Sequence, residues 1–421
     1  MERNVVELDG TRREIRITLS NAELKPHYEK AYVEAQAGIE MKGFRKGKVP
    51  IAMVKQHYGR QIEADALESI ADTAFREFIT AERIHVIGSP SLTDISKSSD
   101  GVEFTIRYEV VPSFDLGDYR GLVVNRPVKT VTDMDVDTEV DRIRLRASTF
   151  APAEQAVDAL HIASFSMTEL DSETSMPILG KEARDERVFL DDDNVDMHLR
   201  NSLMNTKVGD TFTYVAETQE ENAVPPSFRV TVTDIQQVVP AEFTNDFVEE
   251  ITGGRFKTTE ELREDIATQL RTHYTNAGRE QVENQIVDQL VQAHSFDPPH
   301  ALVHSVVHQL FEDFKRRNEG APGIEKLTAH DLEDQLKPSA ERIVRWELIR
   351  EKIVEAEGLE ISDADFAAAA ERYGMTDDQL RMLVRQNDSV ITQLLAEKAI
   401  DTLIDYAIIN DVNVDAVEPL D

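Results

Sequence analysis

No cysteine occurs among the 421 residues, which excludes disulfides, thiol catalysis and thiolate metal sites and fits a reducing compartment. Aromatic residues make up 6% of the chain, with a single tryptophan. No apolar run approaches the roughly 20 residues needed to cross a bilayer. Positive charge is scarce: 46 Lys and Arg stand against 80 Asp and Glu, a net charge of −34. Such a surface repels phosphate backbones, so DNA is not an expected partner and nor is a membrane. The same balance suits an ordinary acidic protein and one adapted to a salty cytoplasm alike. The opening residues Met1 to Glu7 are acidic and alternating, so no secretory leader is expected and a cytoplasmic location is.

What is present reads as a folded, multidomain chain of α+β class. Forty-one per cent apolar and 30% charged residues make a globular composition, and the length exceeds what one core ordinarily organises. Residues 1–112 read as an α+β domain: alternating strands, a helix from Ala22 to about Met41 capped by Ser20 and Asn21, a second from Ile51 to about Ile84, and a strand over Val102–Val110. Residues 113–149 read as an extended arm, with a helix opened by Thr132 and Asp133. Over 150–240, three alternating runs (162–170, 211–216 and 228–239) surround a short helix near 197–204, a β-dominated domain. Residues 241–421 read as almost entirely helical. Thr258-Thr259-Glu260-Glu261 has the form of a capping box and opens a helix reaching about Ala293. Further helices are expected over 300–318, 338–357, 362–373, 376–386 and 389–410.

The charge is unevenly spread. Residues 1–60 hold 12 basic and 8 acidic side chains, a net +4, and from Met41 to Ile62 there are six cations and no acid. A basic island on an acidic chain points to one localised anionic partner. At its centre lies Gly43-Phe44-Arg45-Lys46-Gly47-Lys48-Val49-Pro50. Two glycines permit a tight protruding turn, and Pro50 suits the first turn of the next helix. Phe44 beside Arg45 and Lys46 either stacks or inserts while the cations take phosphate or carboxylate, or folds back into the core of a plain solvated loop. A nucleotide-binding loop is excluded, because no Gly-Lys-Ser/Thr follows at the required spacing.

All eight positions of that run resemble the ribosome-docking signature of the trigger factor family. Similarity continues through Tyr108-Glu109-Val110-Val111-Pro112, Arg126-Pro127-Val128 and Val131-Thr132-Asp133, and returns at Leu290-Val291-Gln292-Ala293 and Asp297-Pro298. The resemblance implies an ATP-independent chaperone without cofactor that docks near the polypeptide exit tunnel and shields nascent chains. Gly43, Phe44, Arg45, Lys46, Gly47 and Lys48 would contact a ribosomal protein and neighbouring RNA, and a weak homodimer would form off the ribosome. It also implies that 150–240 is FKBP-like, which makes a peptidyl-prolyl isomerase the alternative reading.

The sequence departs from that isomerase pattern. Where an Ile-Pro-Gly-Phe-like run is expected, it reads Asp196-Met197-His198-Leu199-Arg200, with Leu199 in the aromatic position. The loops 169–174 and 219–226 lack the usual glycines and tyrosine. Phe165, Phe212 and Tyr214 remain as a vestigial pocket, so no catalytic residue is assigned and activity is expected to be weak or absent. In the helical part, resemblance implies two arms and a concave body, with Phe314, Leu327 and Met375 as candidate client contacts. The stripe Val303, Val306, Val307, Leu310, Phe311 and Phe314 is expected to pack mostly on the preceding helix. His300, His304, His308 and Glu312 share a helix face, but positions eight residues apart are about 12 Å apart by helical rise. A solvated histidine face is therefore expected, with no metal.

Overall fold

A computed structural model describes residues 2–42, 44–171, 174–178, 180–216, 225–321 and 323–414. Strands β1 (Glu2–Glu7) and β2 (Arg12–Ser20) lead into helices α1 (Asn21–Gln36) and α2 (Ile51–Glu82), followed by β3 (Val86–Lys97) and β4 (Gly101–Val110). The four strands form an antiparallel sheet in the order β1-β2-β4-β3. Ser20 caps α1, its hydroxyl and the Glu23 carboxylate satisfying each other's backbone amides. Alternation sends Ile15, Ile17, Leu19, Phe104 and Ile106 to one face of the sheet, where they meet Leu67, Ile70, Phe75 and Phe78 of α2.

The sequence reading missed β3. Gly88, Ser89 and Pro90 look like a turn, yet a proline is tolerated on an edge strand, and the register with β4 breaks between Ile87 and Ser91. Gly88 there has φ +66°, and a Cβ on it would stand 2.6 Å from that of Ala301, so only glycine fits. The first helix is also shorter than expected: it ends at Gln36, and Ile39 and Met41 belong to the following loop.

Next come β5 (Val123–Val128) and α3 (Asp133–Arg146), the latter capped by a Thr132–Asp135 box. The β-rich part contains β6 (Thr149–Pro152), β7 (His161–Leu170), β8 (Arg184–Phe189), α4 (Met197–Leu203), β9 (Thr211–Val215) and β10 (Ser227–Val239). Its sheet runs β6-β10-β7-β8, with β9 also on β10. Both β6 and β8, the latter reading Arg-Asp-Glu-Arg-Val-Phe, were absent from the sequence reading because they lack alternating apolar residues.

The helices are α5 (Asn245–Ile251), α6 (Thr259–Ala293), α7 (His300–Arg317), α8 (Glu333–Glu357), α9 (Asp363–Arg372), α10 (Asp377–Gln386) and α11 (Asp388–Tyr406). Thr258 and Glu261 close the expected capping box. Helix α8 starts five residues before Pro338, which sits within it. The last stretch is not all helical, since β11 (Ile408–Asn413) pairs with β5.

Two compact units result. The first comprises 1–126 with 279–411, and the second 127–278 with 412–421. Within the first, residues 113–122 form a strap over the helices. Phe114 stacks on Phe296 at 4.2 Å and lies under the Lys352 ammonium, also at 4.2 Å. The Gly117 amide donates to Nε2 of buried His294 at 3.0 Å, while Nδ1 of that ring bonds the Leu290 carbonyl oxygen at 2.7 Å. Glu109 of β4 accepts the Ala301 amide at 2.9 Å, capping α7 across 192 residues of sequence where Pro299 offers no side-chain cap.

Glu357 is the strap's densest node. Its carboxylate accepts from the Tyr119 hydroxyl at 2.6 Å, Arg120 at 2.7 Å and the Tyr406 hydroxyl at 3.0 Å. The Tyr119 hydroxyl first, then the Arg120 guanidinium, hold this carboxyl down at about 2 from the ordinary 4.5. A folded value below the unfolded one gives a contribution that is complete above the unfolded pKa and lost as pH falls through the folded one. The melting-temperature gap between the native chain and Glu357→Gln should therefore be widest above pH 5 and close toward pH 2. Trp346, the only tryptophan, packs on the same core cluster and supplies the fluorescence signal. A gap unchanged over that range would remove Glu357 as the node.

Candidate functional site

The basic loop joins α1 to α2. Backbone bonds from Phe44 to Met41 (3.0 Å) and from Lys48 to Arg45 (2.9 Å) fold it into successive turns. Gly47 takes φ +74°, and its amide reaches the Ile39 carbonyl at 3.5 Å. Val49 is fully buried under the turn, and the Gln36 side-chain amide donates to its carbonyl oxygen at 2.6 Å. Gly43 lies outside the described residues.

This geometry removes one reading of Phe44, a ring folded back into the core, since Phe44 is 39% exposed. Arg45, Lys46 and Lys48 are exposed around it. Lys46 is the one of these with a described ion pair, to Glu40 at 3.4 Å, and both side chains remain well solvated. Such a pair is worth about 0–1 kcal/mol, so the lysine is readily surrendered to a stronger anion. The loop thus presents an aromatic tip ringed by cations, a chemistry that suits a mixed protein and phosphate surface.

Sequence reasoning missed what supports this tip. A second small core sits beneath the loop, with Tyr32, Val49 and Val54 buried and Ile39 and Met41 packed on it. The signal was present in Val49, an apolar residue inside a basic run.

The vestigial pocket residues do come together, but in packing. Phe165 on β7 faces Val232, Phe212 on β9 faces Val230, and Tyr214 faces Phe228. Phe165, Tyr214 and Leu199 are buried in one cluster with Leu203, and Phe212 is half-buried against it. Leu199 is held there by the Asp196 cap on α4, whose carboxylate accepts its amide at 2.8 Å. Ser172 and Glu173 of the first departing loop and 217–224 of the second lie outside the described residues.

Among the candidate client contacts, Phe314 is exposed, whereas Leu327 and Met375 are half-buried. Met375 packs on the core of α9 to α11. The α7 stripe meets α8 rather than the preceding helix: Val303 and Val307 bury against Ala340, Val344 and Leu348. His300, His304 and His308 are exposed, and the first two rings stack at 6.4 Å. Among the described residues no helix is long and apolar enough to cross a membrane.

Two family models match the chain. One, bacterial trigger factor protein, covers residues 1–143, and the other, the trigger factor C-terminus, covers 258–405. A trigger factor from Chlorobaculum parvum is 28% identical over 411 residues, spanning 96% of each chain. That of Salinibacter ruber is 27% identical over 91% of this chain and 88% of its own. A solved structure from work on promiscuous substrate recognition in the folding and assembly activities of the trigger factor chaperone has the same fold. Its TM-score is 0.51 at 17% identity, covering 96% of this chain and 99% of that one. Matched by both of these family models, the chain belongs to the trigger factor family of ribosome-associated chaperones.

Proposed function

We propose that this protein docks at the ribosomal exit tunnel through Phe44, Arg45, Lys46 and Lys48, with Gly47 shaping the turn, and shields emerging chains without nucleotide or cofactor. The observation that carries the reading is the exposed Phe44 ring among exposed cations on an otherwise acidic chain. In the assignment of parts, 1–112 docks, 113–149 connects, 150–240 is FKBP-like, and 241–421 carries the client-binding body. The ring of Phe44 would enter a protein crevice, and the cations would pair with ribosomal RNA or acidic side chains. Phe314 is the exposed apolar position best suited to client contact, with Leu327 and Met375 contributing only where a client displaces their packing. The cytoplasm is the compartment that holds ribosomes and emerging chains, and a weak homodimer would store the protein off the ribosome. The isomerase alternative gains no support from Phe165, Leu199, Phe212 and Tyr214, whose shared apolar face is occupied by its own packing.

Co-sedimentation with ribosomes tests the reading. The intact chain should pellet with them, and a variant with Phe44, Arg45 and Lys46 all replaced by alanine should stay in the supernatant. If the triple variant pellets equally well, the loop is not the docking site.

A further inference from the structure

The small core under the loop is organised around one side chain. Tyr32 on α1 is 4% exposed, and its hydroxyl donates to the carboxylate of Glu63 on α2. The Lys55 ammonium lies 4.7 Å over the same ring. Burial first, and then the hydrogen bond to Glu63, push the Tyr32 hydroxyl up to about 12, so it remains a protonated donor at any physiological pH. Gly59 of α2 lies against the phenol, where a Cβ would stand in ordinary contact at 3.6 Å from its oxygen.

We propose that Tyr32 is a positioning residue for docking: its bond to Glu63 fastens α1 to α2 beneath Val49, fixes the turn that carries Phe44, and holds Lys55 on the basic face. This rests on the docking reading and deepens it. A loop between two helices otherwise loses its freedom on binding, at about 1–2 kcal/mol per residue ordered. A turn already fixed in the free protein avoids that loss. Packing alone does not require the hydroxyl, as Tyr108 demonstrates in the same module: its buried hydroxyl has no hydrogen-bond partner among the described residues.

The test compares Tyr32→Phe with Tyr108→Phe in the full chain, by ribosome affinity and by hydrogen exchange at the Gly47 and Lys48 amides. Tyr32→Phe keeps the ring and removes only the donor. We expect its dissociation constant for ribosomes to rise about tenfold, in line with a lost bond to a charged group. Exchange at the two loop amides should quicken while the β2 and β4 amides stay protected. Tyr108→Phe should leave both readouts unmoved, and Glu63→Gln, which preserves a neutral acceptor, should retain most of the affinity. Unchanged loop exchange or unchanged affinity in Tyr32→Phe overturns the proposal. Exchange needs no ribosome, so it reads the positioning role even if the intact chain proves not to dock.

Discussion

Phe44→Ala should weaken ribosome binding more than Lys46→Ala does, and the difference should widen as salt rises. An aromatic side chain buries about 150–250 Å² in full, and Phe44 is 39% exposed, leaving about 60–100 Å² for a partner to cover. At about 25 cal/mol per Å² that contributes about 1.5–2.5 kcal/mol, or tenfold to sixtyfold in affinity. Salt does not screen this term. Lys46 acts by charge alone and already shares Glu40 at 3.4 Å. The screening length shrinks from about 10 Å at 0.1 M to about 3 Å at 1 M, so its contribution fades. In 1 M salt we expect Lys46→Ala to bind within about twofold of the intact chain and Phe44→Ala about tenfold or more weaker. Equal losses in high salt would reject an apolar anchor.

The second large effect is on the module that carries the loop. Phe104 is fully buried at the centre of β4, opposite Ile17 on β2 and Ile95 on β3. Phe104→Ala removes a ring from between α2 and the sheet, at a cost of about 3–5 kcal/mol. A domain of this kind has about 5–15 kcal/mol in all, so the module loses a large part of its margin. With a urea dependence near 2 kcal/mol per molar, its unfolding midpoint should fall by about 2 M. Met134→Ala, at an exposed position, should stay within about 0.5 kcal/mol of the native chain. A Phe104→Ala midpoint unmoved from native would mean that Phe104 does not hold the sheet and α2 together.

The features legible in the sequence were those whose cause is local. Thr258 with Glu261 announces a helix start through neighbours three residues apart, Ser20 and Thr132 announce one as capping residue types, and all three caps form. The exposed basic loop was equally readable, because its glycines, cations and aromatic lie within eight residues. Features decided at long range were not. β3 contains Pro90 and is a strand only because β4 pairs with it, and β11 reads Ile-Ile-Asn-Asp-Val-Asn with its partner far back in the chain. Ile39 and Met41 looked like a continuing helix, since their apolar pattern serves the core beneath the loop instead. The α7 stripe announced burial but not its partner, which α8 supplies.

The pairing of β5 with β11 bears on how this protein is itself made. Arg126 and Asp411 join at 2.7 and 3.0 Å across 285 residues of sequence. At about 5–20 residues per second of translation, the segment around Arg126 waits about 15–60 s for that partner. The N-terminal module does not wait, because its strands and both helices are complete by Val110. For that interval the newborn molecule has a finished N-terminal module followed by an unclosed body, whose strap residues Phe114, Leu116 and Leu122 have yet to meet the helices that cover them. A chaperone of nascent chains thus passes through the very state that such chaperones protect.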